Sequence, residues 1–247
     1  MSDTKKIDKE YIVGTYARFP LEIVRGKGSL VYDENGKEYI DLGTGIAVNT
    51  FGVADDEITQ SVTDQMKKFS HTSNLYYSEP CAKLAEQLCL RTGMKKVFFS
   101  NSGAEANECA IKVARKYAAD KKGADYCNII TLKNSFHGRT ITTLAATGQD
   151  VFHKMFTPLT EGFLYAEAND IASVEKLVKE NKCAAIMFEV VQGEGGVNPL
   201  KKDKSRKQSS HQKKEKTNFR LKPYCLKLLM MFKTFVSAIA EFLLYKQ

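Results

Sequence analysis

The chain has 247 residues, 43% of them apolar, and a formal net charge of +8, enough for one large domain or one and a half small ones. The charge is uneven: residues 201–247 hold 13 Lys and Arg against 3 Asp and Glu, leaving 24 against 26 in residues 1–200. Six cysteines, at 81, 89, 109, 127, 183 and 225, form no Cys-x-x-Cys pair, and Met1–Glu10 is charged; this argues against a zinc site, a disulfide framework or a signal peptide, and makes a reducing cytoplasm the expected setting.

In chain order, Ile23-Val24 and Leu30-Val31-Tyr32 are β-prone runs, and Asn35-Gly36 sits at the centre of a turn before Glu38–Asp41. This predicts a hairpin. Leu42–Gly52 is a Gly-rich loop. Asp55–Lys68 reads as a helix, with Ile58, Val62 and Met66 on one face. His71–Glu79 is a polar, tyrosine-bearing connection, and Pro80 opens a helix that Gly93 stops. Val97-Phe98-Phe99 reads as a strand, followed by an Asn101–Gly103 turn and an Ala-rich helix. Strands are expected at Asn128–Leu132, Phe163–Tyr165 and Ala184–Val191, with helices at Thr140–Thr147 and Ile171–Glu180. Alternating strands and helices predict an open α/β sheet with its polar loops at the carboxyl ends of the strands.

Three loops carry the chemistry. Ser102-Gly103-Ala104, between strand and helix, offers backbone N–H groups to an anion such as phosphate, and Gly103 lets it approach closely. Ser102-x-x-Glu105 reads equally as a plain capping box. Asn134–Arg139 brings an aromatic ring, an imidazole and a guanidinium. The stretch from Glu189 to Gly196 brings two carboxylates, Glu189 and Glu194, around a glycine-rich turn. Taken singly, Phe136 reads as core or as a stacking platform, Arg139 as a solvated charge or a carboxylate clamp, and Glu194 as a surface residue or a substrate contact.

Together, Ser-Gly-Ala-Glu-Ala-Asn-Glu from Ser102, Ser-Phe-His-Gly-Arg-Thr from Ser135 and Glu-x-x-Gln-Gly-Glu-Gly-Gly from Glu189 resemble the class III aminotransferases. Val24–Ser29, Gly36–Asp41 and His71–Tyr77 fit the same family, nearest its acetylornithine branch, with the ornithine and 4-aminobutyrate branches close. The resemblance covers about Tyr11 to Leu200. It implies a fold type I α/β large domain with helices on both faces of its sheet, here incomplete, after a small N-terminal β-hairpin region. The implied division is 1–45 for part of the small domain, 46–200 for part of the large one and 201–247 for a basic tail.

The resemblance also implies pyridoxal phosphate as cofactor. Ser102, Gly103 and Ala104 would lie at its phosphate, Phe136 and His137 at its ring, and Glu189 at its wall. Arg139 would grip the substrate α-carboxylate, Glu194 would sort side-chain amines from carboxylates, and Tyr16 would approach the substrate. The implied partners are amino-acid and 2-oxo-acid substrates and a second copy of the chain; neither nucleic acid nor membrane is expected. Gly52-Val53-Ala54-Asp55-Asp56 stands where the family has Gly-His-x-His-Pro.

From Lys201 the likeness stops. No position matches the family's Asp-Glu-Val-Gln motif or its Schiff-base lysine, which points to a truncated, inactive chain and no catalytic residue to assign. A reading-frame slip near Leu200 is one origin for the tail; a non-enzymatic binding protein with a basic tail is the rival reading. Lys201–Lys216 reads as a solvated run. Leu226–Tyr245 is interrupted by Lys227, Lys233 and Glu241, which rules out a bilayer span, and it lacks strand alternation. The sheet is therefore expected to keep an open edge near 97–99 and 129–131.

Overall fold

The computed structural model describes residues 3–201 and the backbone of 226–230 and 240–244. The chain divides into two compact units, Met1–Ser78 and Glu79–Gln247.

The N-terminal unit begins with helix α1 (Asp3–Tyr11) and a three-stranded antiparallel sheet, β1 (Ile23–Lys27), β2 (Leu30–Asp33) and β3 (Glu38–Ile40). The β2–β3 turn is fixed by Asp33, whose carboxylate accepts from the amides of Asn35 and Lys37 and from the Tyr39 hydroxyl. These bonds hold the Asp33 carboxyl below its usual range, although its burial opposes them. A single kinked turn, α2 (Thr44–Ala47), has left-handed backbone at Gly45 and Ile46. Helix α3 (Asp56–Lys68) is capped by the Asp55 side chain, which accepts from the Ile58 amide. Phe19, Leu42, Ile46, Leu75 and Tyr77 are largely exposed.

The C-terminal unit opens with α4 (Glu79–Thr92) and the long α5 (Gly103–Lys122). Its sheet is built on β4 (Asn128–Leu132), β5 (Phe163–Ala166) and β6 (Cys183–Glu189), with β4 in the middle and parallel to both neighbours. Alternation along β4 sends Ile129 to one face, with Ala106, Ala110, Ile111 and Ala114 of α5 and Met187 of β6. Ile130 and Leu132 go to the other, with Val174 and Leu177 of α8 (Ile171–Glu180). Helices therefore cover both faces, the α/β arrangement expected from the alternating pattern. Two short helices, α6 (Ile141–Ala146) and α7 (Asp150–His153), follow β4, and a small ladder of β7 (Val191–Gln192) and β8 (Asn198–Pro199) follows β6.

Three expectations are corrected. Val97–Phe99 is not a strand and Phe98 is exposed; a strand exists only beside a hydrogen-bonded neighbour, and no described strand runs along this segment. Ile129–Thr131 lies in the paired centre of the sheet, not near an open edge. The tail region Leu226–Tyr245, read as lacking strand character, contains β9 (Leu226–Met230) and β10 (Ala240–Leu244). β10 pairs antiparallel with β6, Ala240 opposite Glu189, and β9 pairs with β10. Backbone pairing to a waiting edge decides these strands, not side-chain alternation. The basic run Lys202–Lys216 lies outside the described residues.

Candidate functional site

The site is assembled where β4 and β6 end and α5 begins. Ser102 caps α5, its hydroxyl accepting from the Glu105 amide at 3.2 Å, while the Glu105 carboxylate accepts from the Asn101 amide at 2.6 Å. This is a shifted form of the capping box, the Glu105 arm reaching Asn101, one residue before the cap, and not the Ser102 amide. It leaves two donors over: no described residue accepts from the amides of Gly103 or Ala104. The start of a helix with unpartnered N–H groups has the character of an anion seat.

The loop after β4 packs onto this helix start. Asn107, buried on the second turn of α5, donates to the His137 carbonyl at 2.7 Å. Gly138 has φ +130° and lies so close that a Cβ there would stand 2.9 Å from Ala104 Cβ and 2.5 Å from Thr143 Oγ1, which only glycine allows. The loop is pinned from the other side by Thr147, whose hydroxyl accepts from the His137 amide at 2.9 Å and has the Thr143 and Gly138 carbonyls as acceptors at 3.0 and 3.3 Å.

The third loop closes on the second. Glu189, 4% exposed at the end of β6, accepts from the Phe136 amide at 2.9 Å. The amide of Gly193 also bonds its carboxyl. Burial outweighs these donors, and the nearby Glu194 adds repulsion, so the Glu189 carboxyl is pushed up to about 7. Buried Gln192 donates to the Lys133 carbonyl at 2.8 Å. Gly195 lies against Asn134, with room for no Cβ: one would stand 2.3 Å from the Asn134 carbonyl oxygen. Exposed Glu194 accepts from Gln149 at 2.5 Å, and Gln149 also donates to the Ser135 carbonyl.

The side chains differ in exposure. Phe136 is half-buried, and its ring meets Phe152 edge-on at 5.9 Å. Arg139 is exposed and lies 4.2 Å over the Phe152 ring. The His137 ring is buried at 2% exposure, its Nε2 has no partner, and burial pulls its pKa down to about 3. It is a neutral ring set into the protein. Tyr16 belongs to the N-terminal unit and is exposed, with the Arg18 guanidinium 5.9 Å from its ring. The other eight residues singled out from the sequence stand on these three loops. The sequence reading missed Asn107, Gln149, Phe152 and Gln192. For Asn107 a signal existed, an amide on the alanine face of an otherwise apolar helix stripe.

The chain is similar to known proteins over most of its length. The family model for class-III aminotransferases matches residues 12–218, running past Leu200 into the basic stretch. An acetylornithine aminotransferase from Haemophilus ducreyi is 53% identical over 193 residues, 78% of this chain and 49% of that protein. A succinylornithine transaminase from Salmonella paratyphi A is 46% identical over 202 residues, covering 82% and 49%. The crystal structure of the ornithine aminotransferase of Toxoplasma gondii superposes with a TM-score of 0.75 at 31% identity, covering 81% of this chain and 48% of that one. The chain thus spans about half the length of the curated relatives it matches.

Proposed function

The chain belongs to the class-III aminotransferases, and from that premise we propose that it carries the phosphate-holding and carboxylate-gripping part of a pyridoxal-phosphate site. The observation that carries this reading is the succession of close contacts, Gly138 against Ala104 at the start of α5 and Gly195 against Asn134 of the second loop, beside two amides that no described residue accepts from. The residues present fit the group: an anion seat at one end and a half-buried aromatic ring nearby. When bound, the cofactor supplies an electron sink for amino-group transfer.

In this proposal the amides of Gly103 and Ala104 and the Ser102 hydroxyl hold the phosphate. Phe136 lies against the ring, set in place by its amide bond to Glu189. His137 supports that wall from within the protein. Arg139 takes the substrate α-carboxylate, since a planar fork presents two parallel N–H donors. Glu194, tethered by Gln149, meets the amine end. The relatives' names, acetylornithine aminotransferase and succinylornithine transaminase, favour an N-acylated ornithine as donor, and the resemblance implies 2-oxoglutarate as acceptor, in arginine biosynthesis.

By the resemblance, residues 1–247 hold no counterpart of the covalent lysine or of the aspartate that pairs with the cofactor's ring nitrogen, and in this proposal they bind by themselves without turnover. The exposed apolar side chains of the N-terminal unit, Phe19, Leu42 and Leu75 among them, favour pairing with a second copy. The chain's six cysteines without disulfide spacing favour a cytoplasmic setting. No described helix is long and apolar enough to cross a membrane.

The test compares pyridoxamine 5'-phosphate with pyridoxamine by equilibrium dialysis. The phosphorylated form is expected to bind and the other not to. Equal binding of both, or sustained transamination of acetylornithine with 2-oxoglutarate by the purified chain, would overturn the proposal.

A further inference from the structure

We propose that Phe152 is the positioning residue for Arg139, presenting its guanidinium to an incoming carboxylate; this rests on the reading of Arg139 above. Among the described residues no carboxylate and no carbonyl bonds Arg139, yet the side chain is not adrift: its guanidinium carbon sits 4.2 Å over the Phe152 ring. An aromatic face attracts a cation through the ring quadrupole. Because this contact uses none of the N–H groups as hydrogen-bond donors, they stay available for a bidentate acid. A carboxylate partner in that place would instead consume those donors.

The platform is itself fixed. Phe152 stands on α7, a single turn between the second and third loops. The His153 ring nitrogen meets the Thr147 carbonyl at 2.7 Å and the Leu144 carbonyl at 3.0 Å, tying α7 to the end of α6. Gln149, just before α7, donates to the Ser135 carbonyl and to Glu194. The Phe136 ring meets the same ring in an edge-to-face arrangement, their centroids 5.9 Å apart. One side chain thus sets the spacing between the aromatic assigned to the cofactor ring and the cation assigned to the substrate acid.

The experiment measures, in each variant of the full chain, the dissociation constants of two probes: N-(5'-phosphopyridoxyl)-L-ornithine, which carries an α-carboxylate, and pyridoxamine 5'-phosphate, which does not. Their ratio isolates the carboxylate contribution and cancels a general loss of structure. Arg139→Leu is expected to abolish the advantage of the first probe. Phe152→Leu keeps the apolar packing against Phe136 but removes the π face; it is expected to cut that advantage about two- to fivefold, the size of an exposed cation–π contact, and Phe152→Tyr to restore it. An unchanged ratio in Phe152→Leu, or equal weakening of both probes, overturns the positioning role while leaving the site reading intact. An unchanged ratio in Arg139→Leu, or no binding of either probe to the unaltered chain, overturns the site reading and the inference with it.

Discussion

Replacing Glu189 with Gln should change how the stability of this chain depends on pH. The Glu189 carboxyl is raised from 4.5 to about 7, and the His137 imidazole is lowered from 6.5 to about 3. For Glu189 the folded state holds the proton more tightly, so its contribution is present below pH 4.5 and is lost as pH rises towards 7. For His137 the folded state resists protonation; its contribution is full above pH 6.5 and is lost as pH falls towards 3. Each slope is about 1.4 kcal/mol per pH unit. Between pH 4.5 and 6.5 they are opposite in sign and nearly cancel. Glu189→Gln keeps an acceptor for the Phe136 amide but removes one slope. Relative to the unaltered chain, the variant should therefore lose about 2 kcal/mol on acidification from pH 6.5 to 4.5, less than the full slope because both ends of the window lie close to a pKa. Urea unfolding followed by far-UV circular dichroism at pH 4.5, 5.5 and 6.5, at constant ionic strength, measures this. Apart from Glu194, whose charge acts on Glu189, the other carboxylates are common to both proteins and drop out of the difference. A difference between the two proteins that stays constant with pH would refute a raised Glu189 and the buried wall built on it.

Gly148→Ala would place a Cβ 2.0 Å from the Leu132 carbonyl oxygen, whereas at Gly193 nothing lies within 4 Å; the first should destabilise by about 3 kcal/mol or more and the second by less than about 0.5 in urea titrations. Ser102→Ala removes the cap of α5 and should cost about 1 kcal/mol, while weakening binding of pyridoxamine 5'-phosphate. Deleting residues 226–247 should bare the edge of β6, and faster amide exchange confined to Met187–Glu189, where β10 pairs, would report it by mass spectrometry.

The central sheet was legible because β4, β5 and β6 are short apolar runs between polar loops, and the hairpin because Asn35-Gly36 admits one tight turn. Val97–Phe99 was misread because apolar content cannot say whether a neighbour lies alongside. The tail strands were missed for the converse reason, since β6 supplies the partner that their own pattern does not announce. At the site, the residue types and loop order could be read, but depth could not. His137 sits in a polar stretch, yet its ring is buried, and α7 is too short to leave a periodic trace. Phe152 therefore acquires its meaning only from the two side chains that meet on it.

The alanine face of α5 has a mechanical consequence. Ala106, Ala110, Ala114 and Ala118 recur every fourth residue on the buried face, with Ile111 and Asn107 beside them, so the helix rests on the sheet largely through methyl groups and has little compressible layer beneath it. Such a helix behaves as a stiff rod on a hard bed. Ala118 lies roughly 22 Å along the axis from Gly103, at about 1.5 Å per residue. A bulkier side chain there cannot be absorbed locally; it lifts one end of the rod and tilts the other. The two amides at the front of α5 would then move off the mouth of the loops. The helix works as a lever whose fulcrum is its own alanines, and the precision of the anion seat is set as much at the far end of α5 as at Ser102.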